Sequence, residues 1–228
     1  MLLMKKRDIV ADSPNAAKAG AVHIPGPLEG ASFVIGAAAA AQLPREGAPE
    51  IAFAGRSNAG KSSAINALAR HGRLAHASRT PGRTREINFF RLRNGALVAD
   101  LPGYGYAAVP HAQKRAWQDL LWTYVTSRST LIGLVLIVDA RHGLKPLDIE
   151  LLDAFLPSAR PVLILATKSD KLNVAERRRA VGGIRAALLQ TFGERAALVG
   201  VIGFSAASHA GVEDADHVLG QWIGSLAP

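Results

Sequence analysis

A glycine-rich segment that also carries a lysine and a serine lies between residues 55 and 62. It reads Gly-Arg-Ser-Asn-Ala-Gly-Lys-Ser and fits the pattern GxxxxGK[ST] at every fixed position. Glycines there let backbone N–H groups curl around phosphate oxygens, and a helix that begins at this point adds the positive end of its dipole. Lys61 would reach the β- and γ-phosphates, and the Ser62 hydroxyl would bind Mg²⁺. The segment predicts a nucleoside triphosphate site rather than an ordinary glycine-rich turn.

A second segment suited to phosphate chemistry is Asp100-Leu-Pro-Gly103. An acidic residue on the strand beside the phosphate loop can hold magnesium through water, and Gly103 can turn its N–H toward a γ-phosphate until hydrolysis removes it. In isolation DxxG usually just ends a strand. Its position two strands after the phosphate loop favours the functional interpretation.

Two later segments have side chains that could recognise a base, namely Thr167-Lys-Ser-Asp170 and Phe204-Ser-Ala206. Asp170 could accept hydrogen bonds from N1–H and the exocyclic amine of guanine, which adenine does not offer in that arrangement. The Lys168 stem would lie over the purine plane, and a backbone N–H near residue 205 would donate to guanine O6. Each segment alone could be a polar loop, but their order along the chain favours guanine.

The polar stretch 77–86 would have to supply one threonine to magnesium when the γ-phosphate is present. Thr80 and Thr84 are the two candidates. Thr84 lies nearer the following strand and comes after the flexible Pro81-Gly82 step, so we prefer it on geometry.

These segments need a scaffold, and the apolar runs of the chain predict a sheet. Four runs are apolar throughout, as expected for strands buried on both faces of a parallel sheet, whereas Asn94-Gly95 predicts a hairpin between two others. The predicted strands are Glu50–Ala54, Glu86–Leu92, Ala96–Asp100, Leu131–Val138, Pro161–Ala166 and Leu198–Phe204. The fold class is therefore α/β, with a mostly parallel six-stranded sheet and one antiparallel edge hairpin.

Amphipathic segments alternate with these strands, which predicts three layers with helices on the sheet. Asn173, with Glu176 three residues later, is typical of a helix start with a reciprocal cap. The predicted helices are Lys61–Arg70, His111–Arg128, Leu147–Leu156, Asn173–Thr191 and Val212–Leu226. Residues 1–30 show no sustained period and are predicted to be a flexible extension, and residues 31–44 a short strand or turn followed by a short helix.

Composition narrows the class of protein further. The chain has 228 residues, no cysteine, and 27 Lys plus Arg against 18 Asp plus Glu, a net charge of +9. Without cysteine there is no disulfide framework and no thiolate metal site. The apolar run 131–138 is too short to span a membrane, and the N-terminal order of apolar before basic residues is the reverse of a signal peptide. We therefore expect a monomer in the cytoplasm.

The positive charge favours a polyanionic partner or simply keeps the protein in solution. Basic residues cluster at the predicted start of two helices, as Lys114-Arg115 and Arg177-Arg-Arg179. These clusters would either contact RNA or form solvated helix faces.

In this order, the five segments resemble those of the translation-factor-related P-loop GTPases. The strings GRSNAGKSS, TPGRTREINFF, DLPGYGYA, TKSDK and FSA resemble specifically the EngB family of bacterial GTPases, over about residues 31–226. The resemblance implies a Ras-like fold for residues 31–228 and binding of GTP or GDP with Mg²⁺. It also implies a part in assembly of the large ribosomal subunit, whose particle or rRNA would be the partner, and a requirement in cell division and septation.

The resemblance carries the nucleotide contacts over by position. It implies that Ser62 and Thr84 bind magnesium, which agrees with the choice of Thr84, and that Lys61, Thr84 and Gly103 act in hydrolysis. Thr167 stands where most GTPases have asparagine, which predicts the loss of one bond to the nucleotide site and a modest affinity. The implied contacts are Gly55, Arg56, Ser57, Asn58, Ala59, Gly60, Lys61, Ser62, Gly82, Arg83, Thr84, Arg85, Glu86, Asp100, Leu101, Pro102, Gly103, Thr167, Lys168, Ser169, Asp170, Phe204, Ser205 and Ala206.

Hydrolysis is predicted to be slow, because many GTPases orient the attacking water with a glutamine directly after the DxxG glycine. Tyr104 occupies that position here and cannot orient a water in the same way. Hydrolysis would then be accelerated by a ribosomal partner or by a second cation. The cation is suggested by Asn58, because related GTPases with asparagine at this place can bind potassium between the phosphates. Alternatively, Asn58 only shapes the loop by bonding its own backbone.

Two other functions share part of this pattern. An ATP-dependent small-molecule kinase would have the phosphate loop, but it would need a substrate lid and phosphate-clamping arginines and would have no use for the two base segments. A basic RNA-binding module with a vestigial nucleotide site is disfavoured because Lys61, Ser62 and Asp100 are all intact.

Overall fold

The computed structural model describes residues 25–75, 86–105 and 111–224. In these ranges seven strands form one sheet, with five α-helices packed on it. The strands are β1 (Ser32–Ala37), β2 (Glu50–Gly55), β3 (Ile87–Arg91), β4 (Leu97–Asp100), β5 (Leu131–Asp139), β6 (Val162–Thr167) and β7 (Val199–Gly203). The helices are α1 (Lys61–Leu68), α2 (His111–Ser127), α3 (Pro146–Phe155), α4 (Val174–Phe192) and α5 (Val212–Gly224).

The strand order across the sheet is β1-β3-β4-β2-β5-β6-β7. Strands β4, β2, β5, β6 and β7 run parallel, while β3 is antiparallel to both β4 and β1. The turn between β3 and β4 contains Gly95, whose φ of +89° lies in the left-handed region that favours glycine. The prediction of a mostly parallel sheet with an antiparallel hairpin is confirmed.

The predicted number of six strands is wrong, because residues 32–37 add a seventh strand, β1, outside the hairpin. The hairpin is therefore not the edge of the sheet. Phe33, Val34 and Ile35 are 60%, 39% and 38% exposed, so this strand has neither an apolar run buried on both sides nor a clear apolar-polar alternation. Its pairing with β3 is what makes it a strand, and its partner residues are 50 or more positions away in sequence.

Two hydrophobic clusters fill the two sides of the sheet. Residues of α2, α3 and α4 pack on one face, and residues of α1 and α5 pack on the other. Strands β2, β4 and β6 are buried along their whole length, which explains why their residues are apolar except at the strand ends. Because both faces are covered, polar groups can emerge mainly where the strands end.

The described part of the predicted N-terminal extension, residues 25–30, packs against the domain. Leu28 is fully buried in the cluster of α1 and α5. The guanidinium of Arg70, two residues after α1, forms two ion pairs. Its Nε lies 3.6 Å from Glu29 Oε2, and its Nη2 lies 3.0 Å from Asp216 Oδ2 on α5. The packed domain therefore begins before residue 31, and residues 1–24 lie outside the described part of the chain.

The start of β2 is held by a buried carboxylate, that of Glu50. It accepts hydrogen bonds from the Tyr124 hydroxyl (2.7 Å), the Thr130 hydroxyl (2.8 Å) and the Arg128 guanidinium. Burial, followed by the charge of Glu50, raises the pKa of Tyr124 well above its usual value. A buried carboxylate is tolerated only with such partners, so Glu50 ties β2 to the end of α2 and the start of β5.

The predicted helix start at Asn173 is also confirmed. The Asn173 side chain accepts a hydrogen bond from the Glu176 backbone N–H (2.9 Å), and the Glu176 carboxylate accepts one from the Asn173 N–H (2.8 Å). This reciprocal cap begins α4 directly after the predicted base segment.

No helix in the described ranges combines the length and the apolar character that crossing a membrane requires.

Candidate nucleotide-binding site

The segment between β2 and α1 has the geometry of a phosphate loop. A Cβ at Gly55 would lie 2.8 Å from the Ile137 carbonyl oxygen, so only glycine fits where β2 ends. Gly60 has a φ of +102° and caps α1, which begins at Lys61. The predicted order of strand, loop and helix is present, so the first N–H groups of α1 point into the loop.

The phosphate-loop lysine and the DxxG aspartate, more than thirty residues apart in sequence, lie in contact. Lys61 Nζ donates a hydrogen bond to Asp100 Oδ1 at the end of β4, and both side chains are largely buried. Ser62 lies half-buried in the first turn of α1. A cation and a carboxylate thus meet at the carboxyl end of the sheet, with Ser62 in the adjoining first turn of α1.

Gly82, Arg83, Thr84 and Arg85 lie outside the described residues, and so does the alternative Thr80. The predicted role of Thr84 therefore stays a prediction. Glu86, the last of that predicted group, is exposed immediately before β3.

The DxxG segment is hydrogen-bonded directly to the phosphate loop. Ser57 N–H donates to the Tyr104 carbonyl (2.9 Å), Tyr104 N–H donates to the Gly55 carbonyl (3.3 Å), and the Ser57 hydroxyl donates to the Gly103 carbonyl (3.3 Å). A Cβ at Gly103 would approach the Ser57 backbone to 3.2 Å, tighter than most real contacts. The two segments therefore hold each other in place.

The side chain of Tyr104, unlike its backbone, is bonded to α3. Its hydroxyl donates a hydrogen bond to Asp148 Oδ1 (2.7 Å) on α3, and both residues are buried. Burial, and then the neighbouring carboxylate, raise the pKa of Tyr104 well above its usual value. The hydroxyl is therefore engaged by α3, which fits the prediction that Tyr104 does not take the place of a water-orienting glutamine.

Asp148 was not predicted from sequence as part of the site. Its second oxygen accepts a hydrogen bond from the Lys145 N–H (2.9 Å) at the start of α3. Burial raises the pKa of this carboxyl above its usual value, an effect that the Tyr104 hydrogen bond opposes. An aspartate after proline in the first turn of a helix usually serves as a cap, so no local signal distinguishes it.

Thr167 contacts the phosphate loop, and the predicted loss of one bond to the nucleotide site relative to asparagine stays a prediction. Its hydroxyl oxygen lies within hydrogen-bond distance of the Ala59 carbonyl in the loop and 3.1 Å from the Val138 carbonyl. The single hydroxyl proton can serve only one of them at a time. The short side chain suffices because the loop lies close to the end of β6, with Thr167 Oγ1 3.5 Å from the Cβ position of Gly60.

Lys168 spans from the base segment to the phosphate loop. Its ammonium donates to the Asn58 carbonyl (2.7 Å) and lies 3.0 Å from Asp139 Oδ2 at the end of β5. Asp139 also accepts hydrogen bonds from the Arg141 side chain at 2.9 and 2.7 Å. Partial burial raises the pKa of Asp139, but the hydrogen bonds from Arg141 and Lys168 outweigh it and hold that pKa well below its usual range.

Asp139 and Arg141 are further residues of the site that the sequence did not predict. The signal that could have found them is the Asp-Ala-Arg string directly after the apolar run 131–138. Polar residues at the carboxyl end of a central parallel strand are placed where ligands bind in such sheets.

The two predicted base segments meet each other. The Ser205 hydroxyl donates a hydrogen bond to Asp170 Oδ1 (2.7 Å) and accepts from the N–H groups of Ala207 (3.2 Å) and Ser208 (3.1 Å). Ser205 is fully buried, whereas Asp170 is exposed. The hydrogen bond from Ser205 lowers the pKa of Asp170, so an oriented, ionised carboxylate faces outward at this end of the sheet.

Beside the phosphate loop is a cavity of about 250 Å³, between the loop and the segment that follows β5. Cationic side chains of Arg56, Arg141 and Lys168 contribute to its wall. Its lining residues are Arg56, Ser57, Asn58, Ala59, Ile137, Val138, Asp139, Arg141, His142, Gly143, Asp148 and Lys168. The arrangement as a whole can bind phosphates at one end and read a base at the other.

Comparison with known proteins agrees with this geometry. Residues 50–168 match the family model described as 50S ribosome-binding GTPase. The chain is 51% identical over 193 residues to a protein from Azoarcus sp. strain BH72 named probable GTP-binding protein EngB, covering 85% of this chain and 91% of the relative. A protein of the same name from Neisseria meningitidis serogroup B strain MC58 is 51% identical over 174 residues, covering 76% of this chain and 82% of that protein.

Solved structures share the fold. A crystal structure of a probable GTP-binding protein EngB superposes with a TM-score of 0.60 at 23% identity, covering 77% of this chain and 99% of that chain. Era, solved with MgGDPNP and a segment of 16S ribosomal RNA, gives a TM-score of 0.59 at 19% identity, covering 77% of this chain and 56% of that one. The three-layer, Ras-like arrangement predicted from the strand and helix pattern is thereby confirmed.

Proposed function

The chain belongs to the EngB family of GTP-binding proteins, and on that premise we propose that it acts as a GTP-dependent switch in the assembly of the large ribosomal subunit. It is a GTPase, since both the matching domain family and its EngB relatives are GTP-binding proteins of that class. The observation that carries the proposal is the contact of Lys61 with Asp100 beside the phosphate loop, with the oriented Asp170 carboxylate at the same end of the sheet. The first pair serves the phosphates, and Asp170 serves the base.

We assign three residues to hydrolysis, namely Lys61, Thr84 and Gly103. Lys61 would neutralise charge on the β- and γ-phosphates, and the Gly103 N–H would bind the γ-phosphate. Gly103 suits this role because its segment is hydrogen-bonded to Ser57 of the phosphate loop, so any displacement of one segment strains the other. The remaining nucleotide contacts are those proposed from the sequence.

The residues around Lys61 fit a magnesium ion. Mg²⁺ prefers oxygen ligands and is usually bound through one or two protein groups, phosphates and water. The Ser62 hydroxyl and the Asp100 carboxylate are oxygen donors at the same end of the sheet, and Thr84 is the third proposed donor. When bound, the ion supplies positive charge to the β- and γ-phosphates, while Ser62 and Asp100 orient it.

We propose that hydrolysis is slow and stimulated by potassium bound near Asn58. The Tyr104 hydroxyl is engaged by Asp148, so it supplies no catalytic group at the γ-phosphate. Asn58 is exposed in the phosphate loop with a φ of +65°, a left-handed conformation that asparagine adopts more readily than most residues. This backbone conformation alone accounts for an asparagine at position 58. Binding of potassium near Asn58 is therefore tested separately.

Turnover at equal ionic strength is expected to be at least about tenfold higher in potassium than in sodium, since tenfold corresponds to about 1.4 kcal/mol. The stimulation should disappear in Asn58→Ala while turnover in sodium stays the same. Ser63→Ala, an exposed serine on α1, is the control and should keep the stimulation. Equal rates in both salts would leave a ribosomal partner as the activator, and fast turnover in sodium would contradict the role assigned to Tyr104.

The proposed partner is the large ribosomal subunit or its rRNA. We propose that the chain binds it as a monomer in the cytoplasm. Its net charge of +9 favours a polyanion. Arg178 and Arg179 are exposed at the start of α4, directly after the base segment, and Arg177 is half-buried beside them. The side chains of Lys114 and Arg115 lie outside the described residues. We further propose that normal cell division and septation require this assembly step.

Depletion of the protein in its native cell is expected to reduce mature large subunits and to accumulate lighter precursor particles in a density-gradient profile. Expression of the wild-type chain should restore the profile, and Lys61→Ala should not. A variant with Gln at Arg177, Arg178 and Arg179 should restore the profile poorly, whereas a variant with Gln at Arg45, Arg73 and Arg93, which are exposed and outside α4, should restore it fully. An unchanged profile after depletion would contradict the assembly function.

A further inference from the structure

The Lys168 side chain is held at both of its ends. At the backbone, its φ of +57° places it in a left-handed turn that is fixed by the Ser169 N–H donating to the Phe204 carbonyl (3.1 Å). At the other end, its ammonium contacts the Asn58 carbonyl and the Asp139 carboxylate at 2.7 and 3.0 Å. The four methylene groups between these ends are therefore stretched along one path next to Asp170.

Asp139 is the rigid part of this arrangement. Its side chain is only 10% exposed, and it is the last residue of β5, where it pairs in register with Thr167 of β6. The ladder continues one step further, with the Ala140 N–H donating to the Thr167 carbonyl (2.9 Å). The carboxylate is thus held by the central sheet directly beside the residue that follows Thr167.

Arg141 orients the Asp139 carboxylate. Its guanidinium donates two hydrogen bonds, at 2.9 Å to Oδ1 and 2.7 Å to Oδ2, and its backbone N–H donates a third to Oδ1 at 3.1 Å. Such a two-point contact fixes the plane of a carboxylate. The oxygen Oδ2, which accepts from Arg141, also contacts the Lys168 ammonium, so groups that lie outside the base motif help to determine the position of the lysine.

We propose that Asp139, oriented by Arg141, is a positioning residue for base binding, which holds the Lys168 stem as a preformed apolar shelf for the purine ring. This inference rests on the proposed function, in which Lys168 lies over the purine and Asp170 reads its edge. A free lysine side chain has many rotamers, and ordering it on binding costs affinity. Asp139 removes that cost by ordering the lysine beforehand.

The low pKa of Asp139 supports this role, because the carboxylate stays ionised across the neutral range and its attraction for the ammonium persists. The position also differs from that of a base-reading residue. Asp139 contacts the Lys168 ammonium, whereas Asp170 is the residue proposed to read the purine edge, so the effect of Asp139 should be the same for every purine that Asp170 accepts.

The test is a set of binding titrations with the Asp139→Asn variant, which keeps the shape of the side chain and removes its charge. We expect GDP and IDP to bind about tenfold more weakly than to the wild type, by the same factor for both. Inorganic tripolyphosphate, which reports on the phosphate loop alone, should bind as before. Equal weakening of all three ligands would show that Asp139 supports the phosphate loop instead, and unchanged GDP binding would also overturn the proposal.

A double-mutant cycle separates positioning from general stability. In a Lys168→Ala background, Asp139→Asn should cause no further loss of GDP affinity, because the residue it positions is gone. The same loss in both backgrounds would overturn the proposal. Asp153→Asn, an exposed aspartate on α3, is the charge-matched control and should bind GDP like the wild type.

Arg141→Ala is the second variant, since its side chain is 41% exposed and its removal spares the core. It should weaken GDP and IDP equally and by less than Asp139→Asn, and unaltered binding would contradict the orienting role. A wild-type chain that fails to bind GDP would instead contradict the proposed function itself. The two failures are therefore distinguishable.

Discussion

Replacing Lys61 by alanine is expected to weaken GTP binding by roughly 10- to 150-fold, since a hydrogen bond to a charged group contributes about 1.5–3 kcal/mol. Lys61 is the cation at the phosphate loop, and its ammonium is already held at the end of β4 by Asp100. Turnover should fall further, by roughly 10²–10³-fold, as when one preorganised charge stabiliser is removed from a transition state. Titration with a non-hydrolysable GTP analogue and a phosphate-release assay measure the two effects.

The control for this variant is Lys145→Ala, which removes the same charge from the start of α3. It should leave both affinity and turnover close to wild type. Because Lys61→Ala also leaves the buried Asp100 carboxylate without this partner, thermal unfolding of both variants should be recorded. An unchanged GTP titration with Lys61→Ala would contradict the assignment of residues 55–62 as a phosphate loop.

The second large effect is expected from Asp170→Asn, which should exchange guanine for xanthine as the preferred base. In the proposed site Asp170 accepts two hydrogen bonds from guanine, and Ser205 orients its carboxylate from a buried position. In the variant, Ser205 can still donate to the amide oxygen, which turns the amide NH₂ toward the base. That donor opposes the guanine N1–H and amine and matches the acceptor of xanthine.

We expect GDP affinity to fall by roughly one to two orders of magnitude, because an unsatisfied polar group at a binding site costs about 1–3 kcal/mol. Xanthosine diphosphate should gain affinity in the same variant. Asp153→Asn, an exposed aspartate on α3, should change the affinity for neither nucleotide. If Asp170→Asn bound GDP like the wild type, the guanine assignment would be wrong.

Most elements of the fold could be predicted because their signals are local. Residues 131–138 and 162–166 are apolar throughout, Asn94-Gly95 makes the turn between β3 and β4, and Asn173 caps α4, each within a few residues. Residues 31–44 were predicted only as a short strand or turn before a short helix, and β1 was not counted in the sheet because its residues are largely exposed and only its pairing with β3, far away in sequence, makes it a strand. A strand that buries few side chains shows no hydrophobic periodicity, so its pairing with a distant strand leaves no signal in its own sequence.

The sequence by itself determined that Lys61, Asp100 and Asp170 of the candidate site lie at one edge of the sheet, because the carboxyl ends of parallel strands meet there.

Only the tertiary structure decided which of these groups bond to one another. Lys168 and Asn58 are more than a hundred residues apart in the chain, as are Thr167 and Ala59, and the hydrogen bond of Tyr104 joins the segment after β4 to Asp148 on α3. Spacing along a chain does not encode the distance between loops on different strands. Buried charges and hydroxyls must nevertheless find partners, and the packing of β5, β6 and α3 around the phosphate loop determines which partners they find.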